Sequence, residues 1–223
     1  MTKYIEEHGK SARLPARRFG YYLRLRLIRE ALRALGTTRI TLLDIGSAHG
    51  DFAGDLVQEE GRVTCLDINL ERLREGKKRY SKIAFVGGDG QELPFRSYHF
   101  DVVMILNTLR YTPSPLKVLL ESDRVLKDGG GLVLICHNRL SPDTLLVRNP
   151  EIVRLLSMRN LKQMLAQSNF QIMQAKYIFI THRSTHRRFL GIIPKLEAGL
   201  DRLGLNRIFP EIFIYAVKKE TKE

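Results

Sequence analysis

The feature that most restricts this chain is an alternation. Between Ile40 and His137, short apolar runs take turns with helix-length amphipathic segments. Ile40–Gly46 (ITLLDIG), Arg62–Ile68 (RVTCLDI), Ile83–Val86, Phe100–Leu106 (FDVVMIL) and Leu132–His137 (LVLICH) are continuous and bounded by turn residues, so they read as buried strands. Phe52–Glu60, Leu70–Tyr80 and Pro115–Leu126 read as helices, the last stopped by Asp128-Gly129-Gly130-Gly131. Parallel neighbours need crossover connections, so this order predicts a parallel sheet with helices on both faces. Further on, Arg159–Ser168 reads as a helix, and Phe170–Thr181 and Glu211–Lys218 as strands.

Length and composition agree with one domain. The chain has 223 residues, 43% of them apolar, enough for a sizeable core and against global disorder. No apolar run is long enough to predict a membrane-spanning helix, and Met1–Lys10 lacks the apolar stretch of a secretory signal. Cys65 and Cys136, the two cysteines, sit inside apolar runs and are expected to be buried free thiols in a reducing cytoplasm. No CxxC or HExxH spacing points to a metal site.

The formal net charge of +13 favours anionic partners. Seven arginines, at positions 13, 17, 18, 24, 26, 29 and 33, crowd the N-terminus, and Arg183, Arg187, Arg188 and Lys195 form a later cluster. Residues 1–36 are read as a basic helical arm, with Tyr21, Tyr22, Leu25, Ile28, Leu32 and Leu35 at helical spacing and Gly36 as its stop. Residues 37–223 form the main domain, with a basic and apolar lid-like insertion around 183–209.

In an open parallel sheet, ligands bind beyond the C-terminal ends of the strands. After the first strand stands Asp44-Ile45-Gly46-Ser47-Ala48-His49-Gly50, where glycine lets the chain turn tightly and its backbone approach a ligand. About twenty residues on, Asp67 closes the second strand, where an acid can accept hydrogen bonds from ribose hydroxyls. Gly88-Asp89-Gly90 follows the third strand, and Asn107 and Thr108 the fourth. Acids at successive strand ends point to an adenosine. The spacing is G-x-A-x-G rather than the dinucleotide G-x-G-x-x-G, and Asp51 directly after it opposes a pyrophosphate. The cationic sulfonium of S-adenosyl-L-methionine suits this acidic rim better.

At these residues the chain resembles the class I S-adenosylmethionine-dependent methyltransferases, and within them the ubiquinone- and menaquinone-biosynthesis-like (methyltransferase type 11) subgroup. LLDIGSAHG, VTCLDINLERL, GGDGQELPFRSYHFDVVMI and LLESDRVLKDGGGLVLI carry the likeness, in order, over Ile40–Cys136. The fold expected is α/β: a Rossmann-like, doubly wound, mostly parallel seven-stranded sheet with an antiparallel last strand and helices on both faces. The resemblance implies that Gly46, Ala48 and Gly50 hold the methionine end of the cofactor, with Asp44 orienting their loop. It implies Asp67 on the ribose with Ile68 beside it, Asp89 and Gly90 at the adenine, and Leu106 and Asn107 near the reacting methyl group. Ala48 departs from the family's middle glycine, Asp128 replaces a proline, and Arg110-Tyr111 stands where many relatives carry a histidine pair.

Methyl transfer is an in-line displacement that needs alignment, and a base only where the acceptor carries a tightly held proton. His49, Tyr111, His137 and His182 are candidates; His137, ending the fifth strand, and Tyr111 rank first. The expected acceptor is a small or lipid-like molecule. The protein is expected to be cytoplasmic, with peripheral contact to an anionic membrane through its basic arm. An RNA methyltransferase tracking phosphates with its arginines is the alternative reading. A non-catalytic relative is disfavoured by the intact Asp67 and Asp89.

Overall fold

A computed structural model describes residues 15–36, 39–142, 152, 154–178, 199–200, 203 and 205–220. The elements run α1 (Pro15–Ala34), β1 (Ile40–Ile45), α2 (Asp51–Glu60), β2 (Gly61–Asp67), α3 (Leu70–Arg79), β3 (Ala84–Gly87) and β4 (Phe100–Leu106). A short 3-10 turn (Leu109–Tyr111) leads to α4 (Pro115–Val125), β5 (Leu126–His137), α5 (Met158–Gln167), β6 (Phe170–Ile178) and β7 (Glu211–Lys218).

The strands form one seven-stranded sheet in the order β3-β2-β1-β4-β5-β7-β6. β1 to β5 pair in parallel, and β7 lies antiparallel between β5 and β6. This is the expected fold. Chain order reverses direction across the sheet between β1 and β4, and ligands of such sheets bind at that switch point.

Strand periodicity divides the core in two. Leu43, Ile45, Val103, Ile105, Leu132 and Leu134 face Val118 and Leu119 of α4 and Leu161 and Leu165 of α5. Leu42, Val102, Met104, Val133 and Ile135 face α1 and α2. α1 gives Leu25, Ile28, Ala31 and Leu32 to that second cluster. The helix singled out by charge is thus, by packing, part of the domain's own core.

Local signals set the helix ends. Gly36 stops the chain at φ +68° after α1. Asn69 caps α3 by accepting the Glu71 and Arg72 N–H groups. Ser157 and Asn160 form a capping box on α5.

Most boundaries lie within a residue or two of the expected ones. β5 instead begins at Leu126, six residues early: Leu126 pairs with Phe100, and the glycine turn becomes an irregularity inside the strand, with Gly129 at φ +71°. Ile68 falls outside β2. His182 and most of the expected insertion at 183–209 lie outside the described residues.

Candidate active site at the switch point

The loop between β1 and α2 turns through three left-handed residues: Gly46 at φ +72°, Ala48 at +51° and Gly50 at +76°. The N–H groups of Gly46 and Ser47 both donate to the Leu66 carbonyl, at 2.7 and 3.1 Å, tying the loop to β2. A Cβ on Gly46 would stand 2.3 Å from the Thr108 side chain, so glycine is required there. The Thr108 hydroxyl lies 3.1 Å from the Ile45 carbonyl and 3.3 Å from that of Leu106, clasping the ends of β1 and β4.

Asp67 ends β2 almost fully buried. Its Oδ2 accepts the Ala48 N–H and its Oδ1 the Asn69 N–H, both at 2.8 Å. A carboxylate offers about four lone-pair positions, so roughly two remain for a ligand. Asp67 pairs with Gly87, and its carbonyl accepts the Gly88 N–H at 3.1 Å, which puts Asp89 on the same rim. Asp89 is exposed, and its Oδ1 accepts the Gln91 N–H at 2.9 Å. Gly90 leans on β1, where an added Cβ would lie 2.8 Å from Ile45. Ile68 presents an uncovered side chain, 75% exposed, next to these acids.

Asp44 lies within β1, paired with Cys65 and Met104, and is 3% exposed. Burial, and then the nearby Asp67 and Asp51, push its carboxyl up to about 7. No hydrogen bond from Asp44 reaches the loop among the described residues. The residue that orients the loop by a direct bond is Asp67, through Ala48.

A different chemistry occupies the ends of β4, β5 and β7. Asn107, at φ +58°, donates its backbone N–H to Ile135 at 2.6 Å and its side-chain amide to Glu211 Oε1 at 3.1 Å. Glu211 is 1% exposed and pairs in register with His137, because antiparallel β7 starts where β5 ends. Arg24 of α1 grips it with two nitrogens, Nε to Oε2 at 2.8 Å and a terminal nitrogen to Oε1. His137 Nε2 stands 3.8 Å from Glu211 Oε1. Burial alone would raise the Glu211 carboxyl, but Arg24, His137 and Asn107 together hold it below the usual carboxylate range.

The remaining candidates separate. His137 lines a narrow cleft with Asn107, Arg110, Cys136 and Leu156, next to half-buried Leu106. Tyr111 sits in the 3-10 turn and is 38% exposed; its hydroxyl accepts from Arg110, whose guanidinium lies 4.7 Å over its ring. His49 points to α3, 3.2 Å from Glu75. Cys136 is pushed up to about 12 by burial and by Glu211, and Cys65 is raised by burial first, so neither is a ready nucleophile. Two residues of this region escaped the sequence reading: Arg24 reads as one of seven N-terminal arginines, and Glu211 only as an acid opening an apolar run; Thr108 is placed at the end of the fourth strand, but without its clasp on β1.

Residues 43–134 match the family described as a methyltransferase domain. A demethylmenaquinone methyltransferase from Renibacterium salmoninarum is 37% identical over 109 residues, 49% of this chain and 45% of that protein. A ubiquinone/menaquinone biosynthesis C-methyltransferase from Rhizobium etli is 37% identical over 103 residues, 42% of this chain and 40% of that one. The chain therefore spans less than half the length of these curated relatives. Among solved structures, an S-adenosylmethionine-dependent methyltransferase from Thermotoga maritima superposes with a TM-score of 0.69 at 18% identity, covering 97% of each chain. The YcgJ protein from Bacillus subtilis superposes at 0.67 with 21% identity, covering 90% of this chain and all of that one. At these identities the structural likeness speaks to the fold.

Proposed function

We propose that this chain is a class I S-adenosylmethionine-dependent methyltransferase of the type 11 subgroup and that it methylates a small, quinone-like organic acceptor. The observation that carries this reading is the shared rim: Asp67 with lone pairs to spare, Asp89 exposed, Ile68 uncovered, and the left-handed loop at the switch point.

S-adenosylmethionine, when bound, supplies a methyl group already activated on a sulfonium. The protein supplies the rest. Asp67, which pins the Ala48 N–H, would accept the ribose hydroxyls, so ribose binding and loop shape would share one carboxylate. Ile68, Asp89 and Gly90 would hold the base. Gly46, Ala48 and Gly50 bring backbone N–H groups to the amino-acid end, with Asp44 behind them. Leu106 and Asn107 border the transfer position, and His137, held near Glu211, is the base for an acceptor that must lose a proton. Tyr111 follows Arg110, one of the residues of that cleft, in the 3-10 turn.

The arginines support a small acceptor over a phosphate track. Arg24 is committed to Glu211, Arg26 pairs with Glu30 at 3.4 Å, and an Arg29 terminal nitrogen reaches the Asp55 carbonyl at 3.4 Å. Two free, buried thiols support a reducing, cytoplasmic setting. Among the described residues no helix is long and apolar enough to cross a membrane.

Calorimetry with S-adenosylhomocysteine tests the cofactor site. Asp67→Ala is expected to weaken binding by about 1–3 kcal/mol, and unchanged affinity would refute its role. Transfer of labelled methyl to reduced demethylmenaquinone, the kind of acceptor named for the Renibacterium relative, tests the quinone-like reading.

A further inference from the structure

We propose that Glu211, clamped by Arg24 of α1, is a positioning residue for methyl transfer: it steadies His137 and the charge that this ring gains on taking the acceptor's proton, an inference that rests on the methyltransferase reading above. The residues come from elements far apart in the chain. Antiparallel β7 starts where β5 ends, so Glu211 and His137 are partners in register. By strand alternation they share the face of Val133, Ile135, Phe213 and Tyr215, the face that α1 covers. His137 Nε2 stands 3.8 Å from Glu211 Oε1, beyond a direct hydrogen bond but well within reach of the carboxylate's charge.

The acid is built into its place. Glu211 is 1% exposed, where a bare carboxylate would be costly, and Arg24 meets it with Nε at 2.8 Å from Oε2 and a terminal nitrogen on Oε1. One turn earlier on α1, Tyr21 stacks on Phe52 of α2 at 4.5 Å and donates its hydroxyl to Asp55 Oδ2 at 2.8 Å, which sets the helix that carries Arg24. The Asn107 amide donates to Glu211 Oε1 at 3.1 Å, so the same carboxylate fixes the side chain that follows β4. On the other side of β7, β6 places apolar Ile178 opposite Glu211. The histidine is open where the acid is closed, with 30% of its side chain exposed. Among the described residues, Arg110 and Cys136 line the same cleft, and burial keeps the Cys136 thiol neutral.

The charge balance gives this arrangement its use. As the methyl group moves from sulfur to the acceptor, the pair of the broken C–S bond stays on sulfur, and the proton that the acceptor gives up passes to His137. The positive charge lost at the sulfonium is regained on the imidazole. Arg110, a cation of the same cleft, disfavours it there, and Glu211 supplies the opposite charge. A helix ahead of the first strand thereby takes part in the acceptor chemistry.

The test follows the His137 ring by NMR of isotope-labelled histidine in the full chain, with His137→Gln identifying its signal. Glu211→Gln is expected to lower the pH at which the ring titrates by about one unit, a tenfold loss of proton affinity, and Glu211→Asp to restore part of it. A purely structural Glu211 would change stability and leave that midpoint where it is. The pH at which labelled methyl transfer to reduced demethylmenaquinone rises should fall by the same amount, with a lower kcat at the plateau and S-adenosylhomocysteine affinity kept. An unmoved midpoint in folded Glu211→Gln overturns the proposal, and so does a moved midpoint with an unmoved transfer profile. Should that variant not fold, denaturation of the parent and of His137→Gln between about pH 6 and about pH 8 decides. A ring that binds its proton more tightly when folded gives the parent an advantage that is full at the acid end and fades as pH rises. An advantage equal at every pH overturns the proposal. If S-adenosylhomocysteine gives no heat, the methyltransferase reading fails, and the ring titration, which needs neither cofactor nor acceptor, keeps that failure apart from this one.

Discussion

On the β1–β3 side of the rim stand Asp44, Asp51, Asp67 and Asp89; on the β4–β5–β7 side Arg24, Asn107 and His137 meet a buried acid, Glu211. The two sides handle charge differently. On the acidic side, Asp67 and Asp89 accept backbone and amide N–H groups, and Asp44 is driven toward its neutral form by burial and then by Asp67 and Asp51. On the basic side Arg24, His137 and Asn107 hold the buried carboxylate below the usual carboxylate range, against the effect of its burial.

The sharpest break is expected at Glu211. Replacing it by Ala leaves the Arg24 guanidinium, with 19% of its side chain exposed, without its counter-charge. Losses of about 3–5 kcal/mol are typical when one partner of a buried pair is removed, and urea denaturation reads this. S-adenosylhomocysteine affinity should change little in protein that still folds; a large loss there would show that the two sides are not separable.

Asp44 comes next. Its carboxyl is raised from 3.8 to about 7, so between those values the unfolded chain has released a proton that the folded chain keeps. Stability is therefore greatest at the acid end of that window, falls as pH rises toward 7, and levels off above it. Asp44→Asn should flatten this contribution and raise apo-protein stability at pH above the window by on the order of a few kcal/mol. Denaturation curves across the window check it, and an unchanged profile would mean that Asp44 ionises freely.

The smallest effect is at Ala48, where a left-handed backbone at φ +51° disfavours any side chain. Ala48→Gly should raise stability by up to about 1 kcal/mol, the relief of strain being partly offset by glycine's greater freedom when unfolded. A shift of the melting temperature downward would show that the methyl group makes packing contacts worth more than the strain.

Much of this was legible before folding. The period of the apolar runs marks the parallel sheet, and acids at strand ends mark the cofactor side, because strand ends are local in sequence and each loop carries its own residues. Ile68 and Gly90 stand beside Asp67 and Asp89 for the same reason. The acceptor side resisted. Glu211 opens β7, far from β5 in the chain, and only the insertion of β7 antiparallel between β5 and β6 sets it opposite His137. Arg24 looked like surface charge until α1 packed under the sheet and brought it to that carboxylate. Thr108 gained its role only when Gly46 came within van der Waals reach of it.

The sequence by itself determined the strand-and-helix order and the placing of acids at successive strand ends, since each depends on residues close together along the chain. Tertiary structure alone decided that Arg24 is spent inside on Glu211, and that Asp67 holds the loop through the Ala48 N–H. Charges interact through space and burial, and neither the neighbour nor the solvent exposure of a charged side chain is written in its position along the chain.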